Sequence, residues 1–150
     1  MTIVRAVCYN NTSMSNEELM RRYITGDRFV AEAGIEILEV TPEKAVVGAK
    51  IEDRHLNANN CVQGGMLFTV ADFAFAVLEN ALHPITVTQM GTISYITAAR
   101  TDYVTATAYE RVRSGHNCVC EVIVKDAGGR TVCVCQFNGF IKEEKPEAQK

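Results

Sequence analysis

One acidic side chain, Asp72, lies inside the most apolar stretch of the chain and is the first candidate for chemistry. In the segment 65–78 only Thr69 and Asp72 interrupt apolar and small residues. An ionised carboxylate in such surroundings is costly unless it has a partner, and carboxylates with perturbed pKa values are concentrated at functional sites. We interpret Asp72 as a catalytic or ligand-binding residue, and a structural salt bridge is the alternative.

The polar loop before this stretch supplies a second candidate. Residues 55–65, HLNANNCVQGG, are turn-prone and end in Gly64 and Gly65. Two glycines allow a ligand to approach the backbone closely, and the start of a helix presents unpaired N–H groups with a partial positive charge. The pattern favours an oxyanion-binding site. An ordinary glycine turn into a helix is the alternative.

The segment Gly64–Leu82 must be a helix that positions both candidates. It is apolar on nearly all sides, which is typical of a buried helix. Its run of about 14 apolar and small residues is shorter than the roughly 20 needed to cross a bilayer. We therefore predict a core helix, ended by His83 and Pro84 because proline cannot continue a helix interior.

The spacing of the candidates has a geometric consequence. Gly64 and Asp72 are eight positions apart, which corresponds to about 12 Å along a helix. One reacting carbon could hardly contact both within a single chain. If they cooperate, two copies of the helix should meet in a twofold assembly, so that each helix start serves the Asp72 of the other copy.

Loop and helix together, HLNANNCVQGGMLFTVADFAFAV, resemble the active-site segment of the hot-dog-fold thioesterases of the PaaI-like and THEM2-like type. Asn57, Gly64, Gly65 and Asp72 match the Asn, the two glycines and the Asp of that segment. Gln63 stands where the family has His. By pattern, the resemblance extends over about residues 34–142.

The resemblance implies a role for each matched residue. Asp72 would be the general base that activates water, or the nucleophile that attacks the thioester, and the sequence leaves both open. The Gly64 N–H would hold the developing oxyanion, and Asn57 would orient the thioester or the water. Gln63 could hydrogen-bond but not titrate. Thr88 could hold the attacking water, or it could be an ordinary strand threonine.

The substrate implied by the resemblance is an acyl-CoA. The Gly65 backbone would lie close to it, and Arg100, Arg111 and Arg113 could bind the CoA phosphates, since phosphate recognition favours arginine. Solvated strand ends are the equal alternative for these arginines. No cofactor is expected beyond the CoA of the substrate.

The function predicted is hydrolysis of an aromatic or medium-chain acyl-CoA to free acid and CoA. One alternative is a hot-dog module that binds acyl-CoA without hydrolysing it. A dehydratase or hydratase is less favoured, because such an enzyme needs a catalytic His placed with the acid and no His lies directly before Gly64. The twofold argument predicts a homodimer or homotetramer.

Composition sets outer limits on these predictions. The chain has 150 residues, of which 47% are hydrophobic, so one domain with a real core is expected. The net charge of -3 and the pI near 5.6 give no support for nucleic-acid binding. The N-terminal residues lack the layout of a signal peptide, so we expect a cytoplasmic protein with no membrane partner.

Six cysteines are present, and without a secretion signal they are expected to be reduced. The pairs Cys118/Cys120 and Cys133/Cys135 suggest a four-thiolate metal site. A hairpin turning at residues 127–130, however, would place Cys120 opposite about residue 136 and Cys135 opposite about residue 121. The four thiols would not converge, so we expect small buried hydrophobes and no metal site.

The remaining elements form an α+β architecture, an antiparallel sheet of about six strands wrapped around the central helix. We expect a flexible arm over 1–14, a domain over 15–142 and a disordered tail over 143–150. A helix should run from Ser15 to about Glu32, with a possible break at Gly26 and Asp27. Alternation predicts strands at Ile35–Val40, Lys44–Ile51, Ile85–Thr97, Tyr103–Arg113, Asn117–Lys125 and Thr131–Lys142.

A few single residues complete the sequence predictions. On the first helix, Leu19, Tyr23, Phe29 and Val30 should be buried. The histidines divide by position: His83 should lie in the turn after the central helix, while the loop histidines should be solvated, namely His55 and His116.

Overall fold

A computed structural model describes residues 26–142, together with Glu18 and Arg22. Within residues 26–142 the helices are α1 (Arg28–Glu32) and α2 (Gly64–Leu82), with a short 3-10 helix at Asp53–His55. Six strands accompany them: β1 (Ile35–Val40), β2 (Ala45–Lys50), β3 (Thr86–Tyr95), β4 (Tyr103–Ser114), β5 (Asn117–Asp126) and β6 (Thr131–Ile141). The predicted arm and tail lie outside the described residues.

The six strands form one antiparallel sheet in the order β1-β2-β4-β5-β6-β3, and α2 packs against it. Phe75, Leu78 and Val77 of α2 are fully buried among inward-facing strand residues. The length and composition of α2 would also suit a membrane-spanning helix, but most of its residues are packed inside the protein. The predicted fold, a sheet around one long central helix, is confirmed.

The β5–β6 hairpin has nearly the register that the sequence predicts, and its cysteines are buried as expected. Cys120 pairs with Phe137 and Cys135 with Val122, within one residue of the predicted register. The cysteines of the described residues are all free and buried, and they are Cys61, Cys118, Cys120, Cys133 and Cys135. Most of them pack as small side chains in the core, while the Cys120 thiol also donates to Glu79 Oε1.

Two predictions about burial were wrong. Phe29 is 71% exposed whereas its neighbour Val30 is 6% exposed. Successive helical residues point about 100° apart, and the five-residue α1, capped by Asp27, turns only one of the two toward the core. His55 is buried because the 3-10 helix turns its Nδ1 inward to accept from the Glu52 N–H at 3.1 Å. Leu19 and Tyr23 lie outside the described residues.

Strand β3 lies at one edge of the sheet and pairs only with β6 among the described strands. Its exposed side chains include Val87, Met90 and Tyr95, although these are apolar or aromatic. An edge strand leaves a row of backbone N–H and C=O groups unpaired. β3 is therefore the part of the sheet best suited to pair with another strand.

Candidate active site

The loop before α2 is held by its own polar side chains. Asn57 Oδ1 accepts from the Asn59 N–H at 2.9 Å and from the Cys61 N–H at 3.2 Å. Arg100 Nη1 donates to the carbonyl oxygens of Asn59 at 2.9 Å and Asn60 at 3.3 Å. These bonds fix the loop that leads into α2. They use the carbonyl oxygen of Asn57 and leave its amide NH₂ as the remaining donor.

Gln63 begins the helix rather than acting as a free side chain. It is the N-cap of α2, and its Oε1 accepts from the Met66 N–H at 3.1 Å. Gly64 and Gly65 follow as the first helical residues, where N–H groups have no intrahelical acceptor. Among the described residues, no acceptor is found for either N–H. The helix start therefore presents two backbone donors for a negatively charged oxygen.

Tyr95 explains why glycine suits position 64 best. Its hydroxyl donates to the Gly64 carbonyl oxygen at 2.9 Å. A Cβ on Gly64 would lie 2.8 Å from this hydroxyl, closer than real Cβ contacts. A Cβ on Gly65 would lie 2.8 Å from Gln63 Oε1. Sequence analysis did not identify Tyr95 as a site residue, because a tyrosine at a strand end carries no signal until its helix partner is known.

A cleft of about 650 Å³ opens at this end of the molecule. It is lined on one side by the loop and helix start and on the other by the end of β3 and the segment after it. Four predicted site residues line it together: Asn57, Gln63, Gly64 and Gly65. The cleft is large enough for part of a small-molecule ligand.

Asp72 and Thr88 form a second cluster. Thr88 Oγ1 donates to Asp72 Oδ1 at 2.9 Å, which joins the middle of α2 to the edge strand β3. Asp72 is half-buried. Burial raises the pKa of Asp72, the Thr88 hydrogen bond opposes this, and the negative charge of Asp27 adds to it. The carboxyl is thus positioned and electrostatically perturbed, as expected of a base or nucleophile.

The two clusters are separate within one chain. Neither Asp72 nor Thr88 lines the cleft at the helix start. Eight helical positions, or about 12 Å, lie between Gly64 and Asp72. One chain therefore carries two half-sites: the cleft half-site of Asn57, Gln63, Gly64 and Gly65, and the carboxylate half-site of Asp72 and Thr88.

The three arginines are not brought together within one chain. Arg100 lies beside the cleft. Arg111 donates from Nη2 to Glu121 Oε1 at 2.9 Å on the sheet surface. Arg113 on β4 pairs with Cys118 on β5, Cys118 pairs with Gly139 on β6, and Gly139 pairs with Thr88 on β3. Arg113 therefore lies three strand spacings, about 14 Å, from Thr88.

Solved structures with this fold are known. The PaaI protein of the E. coli phenylacetic acid degradation operon matches with a TM-score of 0.79 and 23% identity, over 85% of this chain and 93% of that one. A mutant of the Thermus thermophilus phenylacetic acid degradation protein PaaI matches with a TM-score of 0.71 and 27% identity, over 76% of this chain and 98% of that one. A "Hypothetical Thioesterase Protein" from Streptococcus pneumoniae, solved with coenzyme A, matches with a TM-score of 0.69 and 26% identity, over 75% of this chain and 91% of that one.

Sequence comparison is more limited. No protein-family model matches the chain. A curated protein of Archaeoglobus fulgidus, named "Putative esterase", is 36% identical over 63 residues, which are 42% of this chain and 41% of that protein. The match spans less than half the length of this curated relative.

The fold is thus the hot-dog fold, and the resemblance to PaaI-like thioesterases that the loop and helix indicated is confirmed. The similar proteins include one named "Hypothetical Thioesterase Protein" and one named "Putative esterase". This class agrees with a site that combines a perturbed carboxyl with backbone donors at a helix start.

Proposed function

We propose that the protein is an acyl-CoA thioesterase that hydrolyses an aromatic or medium-chain acyl-CoA to free acid and CoA. The observation that carries the proposal is the pairing of half-sites: a half-buried Asp72 held by Thr88, and two N–H donors of a helix start in an open cleft. Thioester hydrolysis needs a group that delivers water or attacks, and donors for the oxyanion.

The reaction would begin with the thioester carbonyl oxygen accepting the Gly64 N–H. If Asp72 acts as base, it removes a proton from water while the water oxygen bonds to the carbonyl carbon. The tetrahedral oxyanion then collapses, the C–S bond breaks, and Asp72 returns the proton to the CoA sulfur. If Asp72 is the nucleophile, an acyl-carboxylate anhydride forms first and water then hydrolyses it.

Thr88 would hold the carboxyl of Asp72 in position. Its hydroxyl donates to Oδ1, which leaves Oδ2 for water or thioester. Two solved variants of the pneumococcal thioesterase replace an Asp and a Thr that are also sixteen positions apart. The equal spacing supports assigning Asp72 and Thr88 to one catalytic unit.

A complete site would need two copies of the chain. The exposed edge of β3 carries Thr88, Tyr95 and apolar side chains, so pairing through this edge would bury the carboxylate half-site. A twofold axis there could bring the cleft half-site of one copy to the carboxylate half-site of the other. The assembly would be a homodimer or a homotetramer. Arg100, beside the cleft, is our candidate for the CoA phosphates.

The direct test is thiol release from a panel of aryl-acetyl, hydroxyaryl and medium-chain acyl-CoAs. The parent protein should release thiol, and Asp72→Ala should lower kcat/KM by about 10²- to 10⁴-fold. The preferred member of the panel would define the acyl group. Binding of acyl-CoA by the parent without thiol release would overturn the proposal in favour of a binding module, and so would an Asp72→Ala variant as fast as the parent.

The two-copy site has its own test, which mixes two inactive variants. Asp72→Ala lacks the carboxylate half-site, and Gly64→Pro lacks an N–H in the cleft half-site. After unfolding and refolding together at equal amounts, half of random dimers are mixed and each has one intact site, so roughly a quarter of parental activity should return. No recovery, with mixed dimers demonstrated, would place the whole site within one chain.

A further inference from the structure

A second polar cluster lies at the other end of α2, and the thioesterase reaction does not use it. Glu79 is fully buried in the last turns of the helix, and His83 is the residue that ends it. His83 Nε2 lies 2.6 Å from Oε2 of Glu110 on β4 and 3.5 Å from Oε2 of Glu79. The cluster thus joins the end of the central helix to the sheet.

One oxygen atom in this cluster has no hydrogen bond. Glu79 Oε1 accepts from the Cys120 thiol at 2.6 Å, but Glu79 Oε2 is buried without a hydrogen-bond partner and faces His83 Nε2. Leaving a buried carboxylate oxygen unpaired is costly. Among the described residues, the ion pairs of Glu79 include no lysine or arginine. A bound cation would compensate for this charge.

We propose that Glu79, His83 and Glu110 form a binding site for a divalent metal ion, for which Zn²⁺ is the best fit. The three ligand atoms, two carboxylate oxygens and one imidazole nitrogen, lie within 4.8 Å of one another. A dication bound by two carboxylates and a neutral imidazole makes a site with no net charge. The unpaired Oε2 of Glu79 then acquires a partner.

The geometry suits zinc. Metal–ligand bonds of about 2.1 Å in a tetrahedral site place ligand atoms roughly 3.4 Å apart. The 3.5 Å between His83 Nε2 and Glu79 Oε2 agrees with this value. The 2.6 Å between His83 and Glu110 must open by roughly 0.8 Å, and Glu110 can move because its side chain is 22% exposed. The same exposed side gives the ion an entry path.

The surroundings favour a structural ion. The Cys120 thiol holds Oε1 of Glu79 and so directs Oε2 toward His83. Such positioning by a neighbouring donor is typical of metal ligands. The site differs from the four-cysteine arrangement that the hairpin register excludes, and it lies two helical turns, about 10 Å, from Asp72. Its expected effect is to fasten the end of α2 to β4, not to take part in thioester hydrolysis.

Zinc titration of the full chain tests the proposal. After treatment with a chelator, the protein should bind one Zn²⁺ per chain with submicromolar Kd, measured by calorimetry and by metal analysis after gel filtration. Zinc should also raise Tm. Glu79→Gln and Glu110→Gln keep the shape of the side chain but remove its charge, and each should weaken binding by about 100-fold or more, since even outer partners of a metal site contribute 10- to 100-fold.

His116→Gln is the matched control, because His116 is an exposed histidine away from the cluster and its loss should leave the affinity unchanged. Glu110→Gln keeps the test decisive should Glu79→Gln fail to fold, because Glu110 is partly exposed. Two results would overturn the proposal: a parent protein that binds well under one Zn²⁺ per chain, or a folded Glu110→Gln variant with parental affinity.

Discussion

The middle and the last turns of α2 carry the same type of side chain in opposite situations. Asp72 and Glu79 are seven positions apart, so they lie on nearly the same face of the helix, about 10 Å from each other. Asp72 is half-buried and receives one hydrogen bond from an exposed strand residue. Glu79 is fully buried and faces a thiol and an imidazole.

The difference lies in what each carboxyl can reach. Burial raises the pKa of both groups. Asp72 faces the edge strand β3, where a substrate or a second copy of the chain has access. Glu79 is fully buried beside Cys120 and His83, where a substrate has no access. A perturbed carboxyl is therefore not a sufficient sign of catalysis, and access to a ligand decides between a catalytic and a structural role.

After the loss of Asp72 itself, the largest effect on the rate is expected at the helix start. Gly64→Pro removes the N–H while keeping a backbone that suits the first helical position, and Gln63 has ψ 135°, which proline tolerates in the residue before it. We expect kcat to fall by about 10²- to 10³-fold, the usual effect of losing one oxyanion donor. Thiol release under saturating substrate is the measurement.

Gly64→Ala is the control, because it brings the same Cβ toward Tyr95 but keeps the N–H. It should retain most of the activity lost in Gly64→Pro. Equal losses in the two variants would mean that crowding against Tyr95, and not the missing donor, lowers the rate.

At the C-terminal end of α2, where Glu79, His83 and Glu110 meet, a substitution is expected to change stability. His83→Ala leaves two acidic side chains without their shared partner, which should lower the free energy of unfolding by roughly 3 kcal/mol. For a chain of this size, Tm should fall by roughly 6–12 °C. The fall in Tm is measured by thermal unfolding of the chelator-treated protein. His116→Ala is the control: it removes one ring hydrogen bond to the Ile141 carbonyl and the stacking on Phe140, so it should lower Tm clearly less than His83→Ala. An equal shift in both variants would contradict the buried cluster.

Removing the Thr88 hydroxyl should shift the pH dependence. Its hydrogen bond lowers the pKa of Asp72, whereas burial raises it. In Thr88→Val the pKa of Asp72 should therefore rise further, so that the carboxylate forms only at higher pH. The acidic limb of the kcat/KM profile should move upward, and the rate near neutral pH should fall by about tenfold.

The exposed Thr92→Val, on the same strand, is the control and should keep the parental profile. An acidic limb that stays in place in Thr88→Val would show that the titrating group is not Asp72 or that Thr88 does not act on it.

The sequence was sufficient to predict the features that depend on local residue patterns. The bounds of α2 and the β5–β6 register followed from periodicity and turn residues. Asp72 could be proposed from a charge among apolar neighbours. Glu79 gave no such signal, because it falls near the helix end where acidic residues are ordinarily solvated. Its partner Glu110 lies 27 positions beyond His83, and only the folded sheet brings them together.

Sequence and structure indicate different roles for Gln63. Its substitution is expected to have the smallest effect on the protein. The resemblance compares it with a family histidine at the active site, but its Oε1 caps α2. Gln63→Ala should cost about 1 kcal/mol and lower Tm by roughly 2–4 °C, because the Met66 N–H loses its acceptor. Gln63→Ser should restore Tm, since serine is a favoured N-cap. If the serine variant melts as low as the alanine variant, capping is not what Gln63 contributes. If Tm recovers while thiol release does not, the amide NH₂ of Gln63 acts in the cleft as well.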